Sequence, residues 1–588
     1  MIGLVAVTSN GRRNAAHLAD AWPEARFYED RPKEALRRAW EECDGIVLFL
    51  AVGAAVRLVA PLLGDKRRDP GVVCVDDAAR FAVALTGGHR EAGGANTLAG
   101  RVADALGAEP VVTTASDTMH VPALDSFGLD LGFEIEEASD LAAVGAALVS
   151  GERVSFVSDH RWPLGPLLGN VVRTDEPEPP LIVVSDRLLD TPRPSVIYRP
   201  PSLVIGVGCS RGARSEEILA LVRFSLEEAG LSVKSVATLA SVETKSDEAG
   251  LLEAAETLGL PARFHPAARL ATAEVPNPSE VVERAVGTPS VAEAAVMAEG
   301  AELIVEKRKS AMATVAVGRL PVRGRLFLVG LGPGDEALIP PLARDALARS
   351  EMVVGLEQYV DRVRCLLRQG TRVSTPPLGE EIERAKLALA EAQAGGSVAL
   401  VSSGDAGVYA MASPALQLAG EDVDVILVPG ITASQAAASL LGSPLGHDHA
   451  SVSLSDLLTP WAVIEHRIEA AAAGDFVVTL YNPRSKGRDW QLGKAREILL
   501  QHRSAETPVG IVREAYRPSQ SVTLTDLGSL RPESVDMLTT VIVGSSRTEV
   551  RAGRMVTPRG YEDRESGVGS RESGNVPHSP SAGDGSLG

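Results

Sequence analysis

The run FLVGLGPGD, residues 327–335, carries an apolar stretch into a glycine-rich turn, a pattern by which a nucleotide can be held. A dinucleotide turn needs a third glycine and free backbone N–H groups around the pyrophosphate. Here Asp335 stands where that glycine belongs, and Pro333 removes an N–H donor, so the turn disfavours an anion and tolerates a cation. Glu357 falls roughly where a ribose-binding acid would lie, which keeps an NAD-dependent oxidoreductase as an alternative. Three more loops follow apolar runs: SSGDAGVYAMA (402–412), VPGITASQAAAS (428–439) and LYNPRSKGRDWQL (480–492). If their strands are parallel, all four loops leave at the carboxyl ends, where open α/β sheets bind ligands, and they can converge on one cleft. In the last loop Arg484, Lys486 and Arg488 could grip carboxylates or form a solvated charged turn. His447 and His449 form an HxH pair, but only Asp448 stands nearby to extend it, so no protein-bound metal is expected.

The N-terminal region offers a different chemistry. In ALTGGHREAGGANTLAGRVA (84–103) a glycine-rich turn leads into a helix and sets His89 and Asn96 beside exposed backbone N–H groups. That arrangement suits a carbonyl or carboxylate ligand, or a structural turn. Lys245, Asp247 and Glu248 read more readily as a polar loop than as catalytic groups, and Glu293 as a helix face.

The elements that must hold these residues are α/β throughout. At 588 residues the chain is too long for one core, so roughly three or four domains are expected. Apolar residues make up 45 % and aromatics 4 %, a balance that suits layered α/β folds. From 1 to about 120 short apolar runs alternate with helical segments, which predicts a parallel sheet covered by helices. Residues 121–201 are less regular and proline-rich, and read as a small connecting domain. A further α/β unit covers 202–320, a hinge PVRG follows, and 325–558 alternates strands and helices again. The tail 561–588 is mostly Gly, Ser, Pro and charged residues and is expected to be disordered. A net charge of -19 argues against a nucleic-acid partner. The four cysteines are widely separated, and the basic residues follow rather than precede the first apolar run, so a cytoplasmic chain is expected. The apolar stretch at 45–64 is broken by Arg57 and Pro61, which excludes a membrane span.

GLGPGD, GDAGVYAM, PGITA, GHDHASVSLSDLLTPW (446–461), YNPRSKGR and DMLTTVIVGSSRT (536–548) together resemble the precorrin-3B C(17)-methyltransferases of cobalamin biosynthesis, over about 325–555. That resemblance implies a two-domain α/β tetrapyrrole methyltransferase with S-adenosylmethionine held between its domains. Gly332, Pro333, Gly334 and Asp335, the loop residues Gly404, Asp405, Ala406, Val408, Tyr409 and Met411, and Thr432 and Ala433 would line the donor. His447, Ser455, Tyr481, Asn482, Arg484 and Arg488 would meet the macrocycle; the family usually has an apolar residue at the position of His449. Members of this fold commonly dimerise.

The segments at 48–77 and 84–103, with GVGCSRGARSEEI (206–218), ASVETKSDEAGLLEAAETLGLP (240–261) and GTPSVAEAAVM (287–297), resemble the cobalt-precorrin-5A hydrolases. That family opens a δ-lactone on the contracted macrocycle and releases acetaldehyde. His89 would then be the base, Asn96 an oxyanion donor, and Arg57, Lys66 and Arg211 the grips for substrate carboxylates. Two departures stand out: GHREAGGAN is two residues longer than the family's Gly-His-x-Gly-Gly-Ala-Asn, and Ser210 replaces a usual basic residue. Lactone opening belongs to the cobalt-early route, so the resemblances together imply a bifunctional enzyme whose methyl acceptor carries the cobalt. A tetrapyrrole-binding carrier without turnover is the alternative outside the enzymes.

Overall fold

The computed structural model describes residues 1–64, 68–87, 94–113, 124–125, 127–485 and 487–561. His89, Lys66 and Lys486 therefore lie outside the described residues, as does the expected disordered tail after Tyr561. The chain divides into two compact units. One is Met1–Gly324 with Arg368–Thr371 and Ala394–Gly396; the other is Arg325–Leu367, Arg372–Gln393 and Ser397–Gly588.

The first unit contains three sheets in succession. The first sheet orders its strands Ala25–Phe27, Ile2–Ala6, Gly45–Phe49, Gly71–Val75, Phe81–Thr86 and Glu109–Val111. The first four of these pair in parallel. Their runs IGLVA, GIVLF and GVVCV are buried along their whole length, as strands covered on both faces are. The fully parallel sheet expected from the sequence is not what forms, because Phe81–Thr86 runs antiparallel to Gly71–Val75. The intervening residues 76–80 are too few for a parallel crossover. Asp76 closes the hairpin instead, accepting the N–H groups of Arg80 (2.7 Å) and Phe81 (2.8 Å). The reversal brings the next helix, Gly94–Leu106, to the amino ends of the parallel strands. A Cβ on Gly71, the first residue of its strand, would lie 2.9 Å from the Ala95 nitrogen.

Residues 121–201 hold a sheet of their own, ordered Glu134–Ile135, Ser195–Arg199, Leu181–Val184, Val154–Ser158 and Val171–Arg173. Its core gathers Phe133, Leu148, Phe156 and Tyr198, and the buried Tyr198 hydroxyl donates to the Leu124 carbonyl at 2.6 Å. The third sheet is ordered Ala262–His265, Val236–Val242, Leu203–Cys209, Ala313–Arg319 and Glu302–Lys309. Its first three strands are parallel and the last two join antiparallel. Helix Val291–Ala298 presses on it so closely that a Cβ on Gly206 would fall 1.9 Å from the Ala292 carbonyl oxygen. On that helix Glu293 is fully buried, with Asn277 Nδ2 (2.8 Å) and Lys307 N (3.1 Å) donating to it. It is a satisfied core carboxylate rather than a residue of an open helix face.

The second unit has two main sheets. One is ordered Arg372–Ser374, Met352–Val354, Ser397–Ser402, Gly324–Gly330 and Val423–Val428. The other is ordered His449–Ser453, Val477–Tyr481, Thr539–Val543, Pro508–Arg513 and Ser521–Asp526. In the second sheet only His449–Ser453 and Val477–Tyr481 pair in parallel; its remaining pairings are antiparallel. The four ligand loops therefore do not leave a single parallel sheet. Three follow strands of the first sheet, and the loop after Tyr481 follows a strand of the second. Among the described residues, no helix is long and apolar enough to cross a membrane.

Candidate active sites

In the second unit, three glycines from three loops meet backbone to backbone. A Cβ on Gly430 would lie 2.2 Å from the Gly404 carbonyl oxygen, and one on Gly330 would lie 2.7 Å from the Gly430 nitrogen. Gly332 and Gly404 exchange hydrogen bonds in both directions, at 3.0 and 2.8 Å. Both take the left-handed conformation (φ 74° and 70°), which costs a glycine little. Asp405 spends both carboxylate oxygens on this junction, accepting Gly430 N–H at 2.9 Å and Gly407 N–H at 2.8 Å.

Asp335 accepts the Ala337 N–H at 2.8 Å and so caps the short 3₁₀ turn Glu336–Leu338. The next helix, Pro341–Ala348, begins only after that turn. No long helix opens at the glycine turn to receive a pyrophosphate, and nothing supports the dinucleotide alternative. Ala406 and Met411 are buried in the core beneath their loop, whereas Val408 and Tyr409 stand exposed. Tyr409 adopts φ 52°, and its hydroxyl donates to the Ser451 carbonyl at 2.9 Å, tying the first sheet's loop to a strand of the second sheet.

Tyr481 completes the tie. Its ring lies 5.0 Å from that of Tyr409, and its hydroxyl is 2.7 Å from Thr432 Oγ1 and accepts Ser434 N–H at 2.9 Å. Thr432 is the N-cap of helix Ala433–Leu441 but makes no side-chain cap bond of its own. Tyr481 supplies that cap from the other sheet, which fixes the Thr432–Ala433 backbone.

Asn482, at φ 51°, donates to Ser453 Oγ at 3.0 Å. Ser455 and Arg488 meet directly: Arg488 Nη1 donates to Ser455 Oγ at 2.9 Å, its Nη2 lies 3.2 Å from Met537 Sδ, and its buried Nε has no hydrogen-bond partner. Arg484 reaches the Pro532 carbonyl at 3.4 Å. His447 and His449 stay on local backbone: Nδ1 of His447 accepts Asp448 N–H at 2.8 Å, and Nδ1 of His449 is 3.3 Å from the His447 carbonyl.

Two arginines that the sequence reading passed over stand at the glycine turn. Arg517 Nε donates to the Pro333 carbonyl at 2.9 Å and Nη2 to Ser403 Oγ at 3.2 Å. Burial, and then the charge of Arg362, hold its pKa below the usual arginine value; burial does the same to Arg362. Gly332, Gly334, Tyr359, Arg362 and Ser403 line a small pocket at this point. No motif announces either arginine, since each reaches the turn only through tertiary folding.

In the first unit, Arg57 folds back along its own helix, its Nη1 donating to the Gly53 carbonyl at 2.8 Å. Asn96 sits half-buried in the first turn of helix Gly94–Leu106, at the amino ends of the parallel strands. Arg211 lies elsewhere, on the turn after Leu203–Cys209, and donates to Asp247 Oδ1 at 2.7 Å. Beside it Glu248, which reads from the sequence as part of a polar loop, is buried.

Known families cover most of the chain. Residues 34–117 match the cobalamin synthesis G N-terminal family, 122–200 the cobalamin biosynthesis central region and 203–318 the cobalamin synthesis G C-terminus. Residues 325–531 match the tetrapyrrole (corrin/porphyrin) methylases. A probable cobalt-factor III C(17)-methyltransferase of Salmonella typhimurium is 49 % identical over 40 % of this chain and 99 % of that protein. A cobalt-factor III methyltransferase of Priestia megaterium is 45 % identical over 41 % of this chain but only 46 % of its own length. A precorrin-3B C(17)-methyltransferase of a Sinorhizobium species is 40 % identical over 40 % of this chain and 97 % of that protein. The second unit is thus a two-domain α/β tetrapyrrole methylase, of an S-adenosylmethionine-dependent class, joined to three cobalamin synthesis G regions. The second unit belongs to the C(17)-methyltransferase family of these relatives, and the fusion makes the chain a bifunctional enzyme of cobalamin biosynthesis.

Proposed function

We propose that the second unit methylates C17 of cobalt-factor III from S-adenosylmethionine with ring contraction, and that the first unit opens the lactone of cobalt-precorrin-5A and releases acetaldehyde. The observation that carries the methyltransferase reading is the lock of Tyr481 on Thr432 and Ser434, which joins the loops of both sheets. The residues present fit the donor. Gly404 leaves a slot in which even a Cβ would stand 3.7 Å from the Thr432 and Ala433 backbone, and the carboxylate of the adjacent Asp405 is spent on Gly430 and Gly407 N–H groups, so the face at Gly404 and Thr432 is backbone. A sulfonium and an ammonium suit such a lining better than a phosphate does.

When bound, S-adenosylmethionine supplies an electrophilic methyl group. Displacement at that methyl is governed by alignment, which is what an interlocked set of loops provides. Tyr409 and Tyr481 hold the loops in place, and Arg484 and Arg488 bind acetate and propionate arms of the macrocycle. Cobalt enters with the substrate, a reading supported by the cobalamin synthesis G regions and by the names of the Salmonella and Priestia relatives. We place the working domains at 1–120, 121–201, 202–320 and 325–558, in a cytoplasmic chain without a nucleic-acid partner, a reading supported by its net charge of -19. Dimerisation is part of the same reading, as is common in this fold.

The test is incubation with cobalt-factor III and methyl-labelled S-adenosylmethionine. Label on the macrocycle supports the reading. Tight macrocycle binding without transfer points to a carrier, and NAD binding without S-adenosylmethionine binding points to an oxidoreductase.

A further inference from the structure

The turns Cys209–Gly212 and Glu243–Glu248 follow the neighbouring parallel strands Leu203–Cys209 and Val236–Val242, at their carboxyl ends. Open α/β sheets bind ligands at that edge. The two turns are coupled tightly. A Cβ on Gly250 would fall 2.0 Å from the Ala213 carbonyl oxygen, and Gly212 N–H donates to Glu248 Oε1 at 2.7 Å. Glu248 is only 5 % exposed. Its other oxygen, Oε2, is buried without a hydrogen bond, although Lys245 Nζ and Arg211 Nη1 each stand 3.7 Å away. Arg211 instead donates to Asp247 Oδ1 at 2.7 Å and to the Thr244 carbonyl at 3.2 Å.

A buried carboxylate oxygen ion-paired with two cations at 3.7 Å, yet accepting no hydrogen bond, keeps a lone pair free for a donor. That free lone pair gives an incoming proton a place to go, which a proton acceptor requires. Burial raises the pKa of the Cys209 thiol on the same turn, which disfavours its thiolate.

We propose that this cluster is the lactone-opening centre, with Glu248 as its general base and Lys245 and Arg211 as its oxyanion and carboxylate grips. The proposal rests on reading the first unit as a lactone hydrolase. Glu248 Oε2 takes a proton from water as the water oxygen bonds to the lactone carbonyl carbon. The acyl carbon–oxygen bond then breaks, and the departing oxygen takes the proton back from Glu248. A carboxylic acid and an alcohol result. The alcohol loses its hydroxyl proton and becomes the aldehyde as its carbon–carbon bond to the macrocycle breaks; the bonding pair stays on the macrocycle carbon, which takes up a proton. No oxidant is required.

The experiment gives the full-length chain cobalt-precorrin-5A and measures acetaldehyde. Glu248→Gln keeps an acceptor for Gly212 N–H and removes the base, so kcat should fall about 100-fold or more with KM little changed. Methyl transfer by the same chain and its melting midpoint should hold. Arg211→Ala should raise KM more than it lowers kcat. Acetaldehyde release by Glu248→Gln at the unmodified rate overturns the proposal, as does a loss no larger than its loss of folded protein. An unmodified chain that releases no acetaldehyde overturns the lactone reading itself and this placement with it, an outcome visible before any variant is made.

Discussion

The second unit and the third sheet of the first unit both present loops at strand carboxyl ends, but they use their polar side chains in opposite ways. In the second unit Asp405 gives both oxygens to Gly430 and Gly407, Tyr481 gives its hydroxyl to Thr432 and Ser434, and Arg517 gives its Nε–H to Pro333. The side chains are consumed in holding backbone, and backbone is what remains to meet a ligand. Around Glu248 the reverse holds: one oxygen anchors the turn through Gly212, and the other is left without a hydrogen bond between Lys245 and Arg211. The difference matches two chemistries. Methyl displacement depends on alignment. Ester hydrolysis depends on moving a proton and stabilising an oxyanion.

Breaking the backbone lock should produce the largest effect in the second unit. Gly430→Ala drives a Cβ to 2.2 Å from the Gly404 carbonyl oxygen, so the loops must separate. Methyl transfer should fall about 100-fold or more, as ångström-scale misplacement does, while acetaldehyde release is unchanged. Arg517→Met should be next. Losing its bonds to Pro333 and Ser403 should weaken S-adenosylmethionine binding about tenfold by calorimetry, since hydrogen bonds from a charged group are worth about 1.5–3 kcal/mol. Tyr481→Phe removes one helix cap and should cost about 1 kcal/mol, seen as roughly a fivefold rise in KM for S-adenosylmethionine with kcat nearly kept. The smallest effect is a labelling contrast. Burial pushes the Cys74 thiol up to about 11, so thiolate is scarce at pH 8 and becomes available only as pH rises toward that value. Exposed Cys365 should be alkylated at pH 8 while Cys74 is spared, as mass spectrometry of peptides would read.

Much of this was legible before folding, and the residues show why. GLGPGD, GDAGVYAM and PGITA announce themselves because close backbone approach admits only glycine, and a Cβ at Gly330 or Gly430 has nowhere to go. The strands at 397–402, 423–428, 477–481, 508–513 and 539–543 follow their apolar runs. Strand direction was harder to read. The five residues between Val75 and Phe81 are a visible sign of a hairpin, but alternation of apolar runs with helices elsewhere argued for a parallel sheet. Arg517 and Arg362 carry no pattern, because their role depends on where two distant segments meet. Glu248 reads as loop from its polar neighbours; only burial, the Gly250–Ala213 approach and an oxygen without a hydrogen bond distinguish it.

The most direct test of this contrast assays both activities in parallel on full-length Gly430→Ala and Glu248→Gln chains. The predicted result is a crossed pattern: Gly430→Ala loses methyl transfer from labelled donor to cobalt-factor III but releases acetaldehyde from cobalt-precorrin-5A, and Glu248→Gln does the opposite. If Glu248→Gln releases acetaldehyde normally, or Gly430→Ala transfers methyl normally, the division between a site built of backbone and a site built of side-chain charge is wrong.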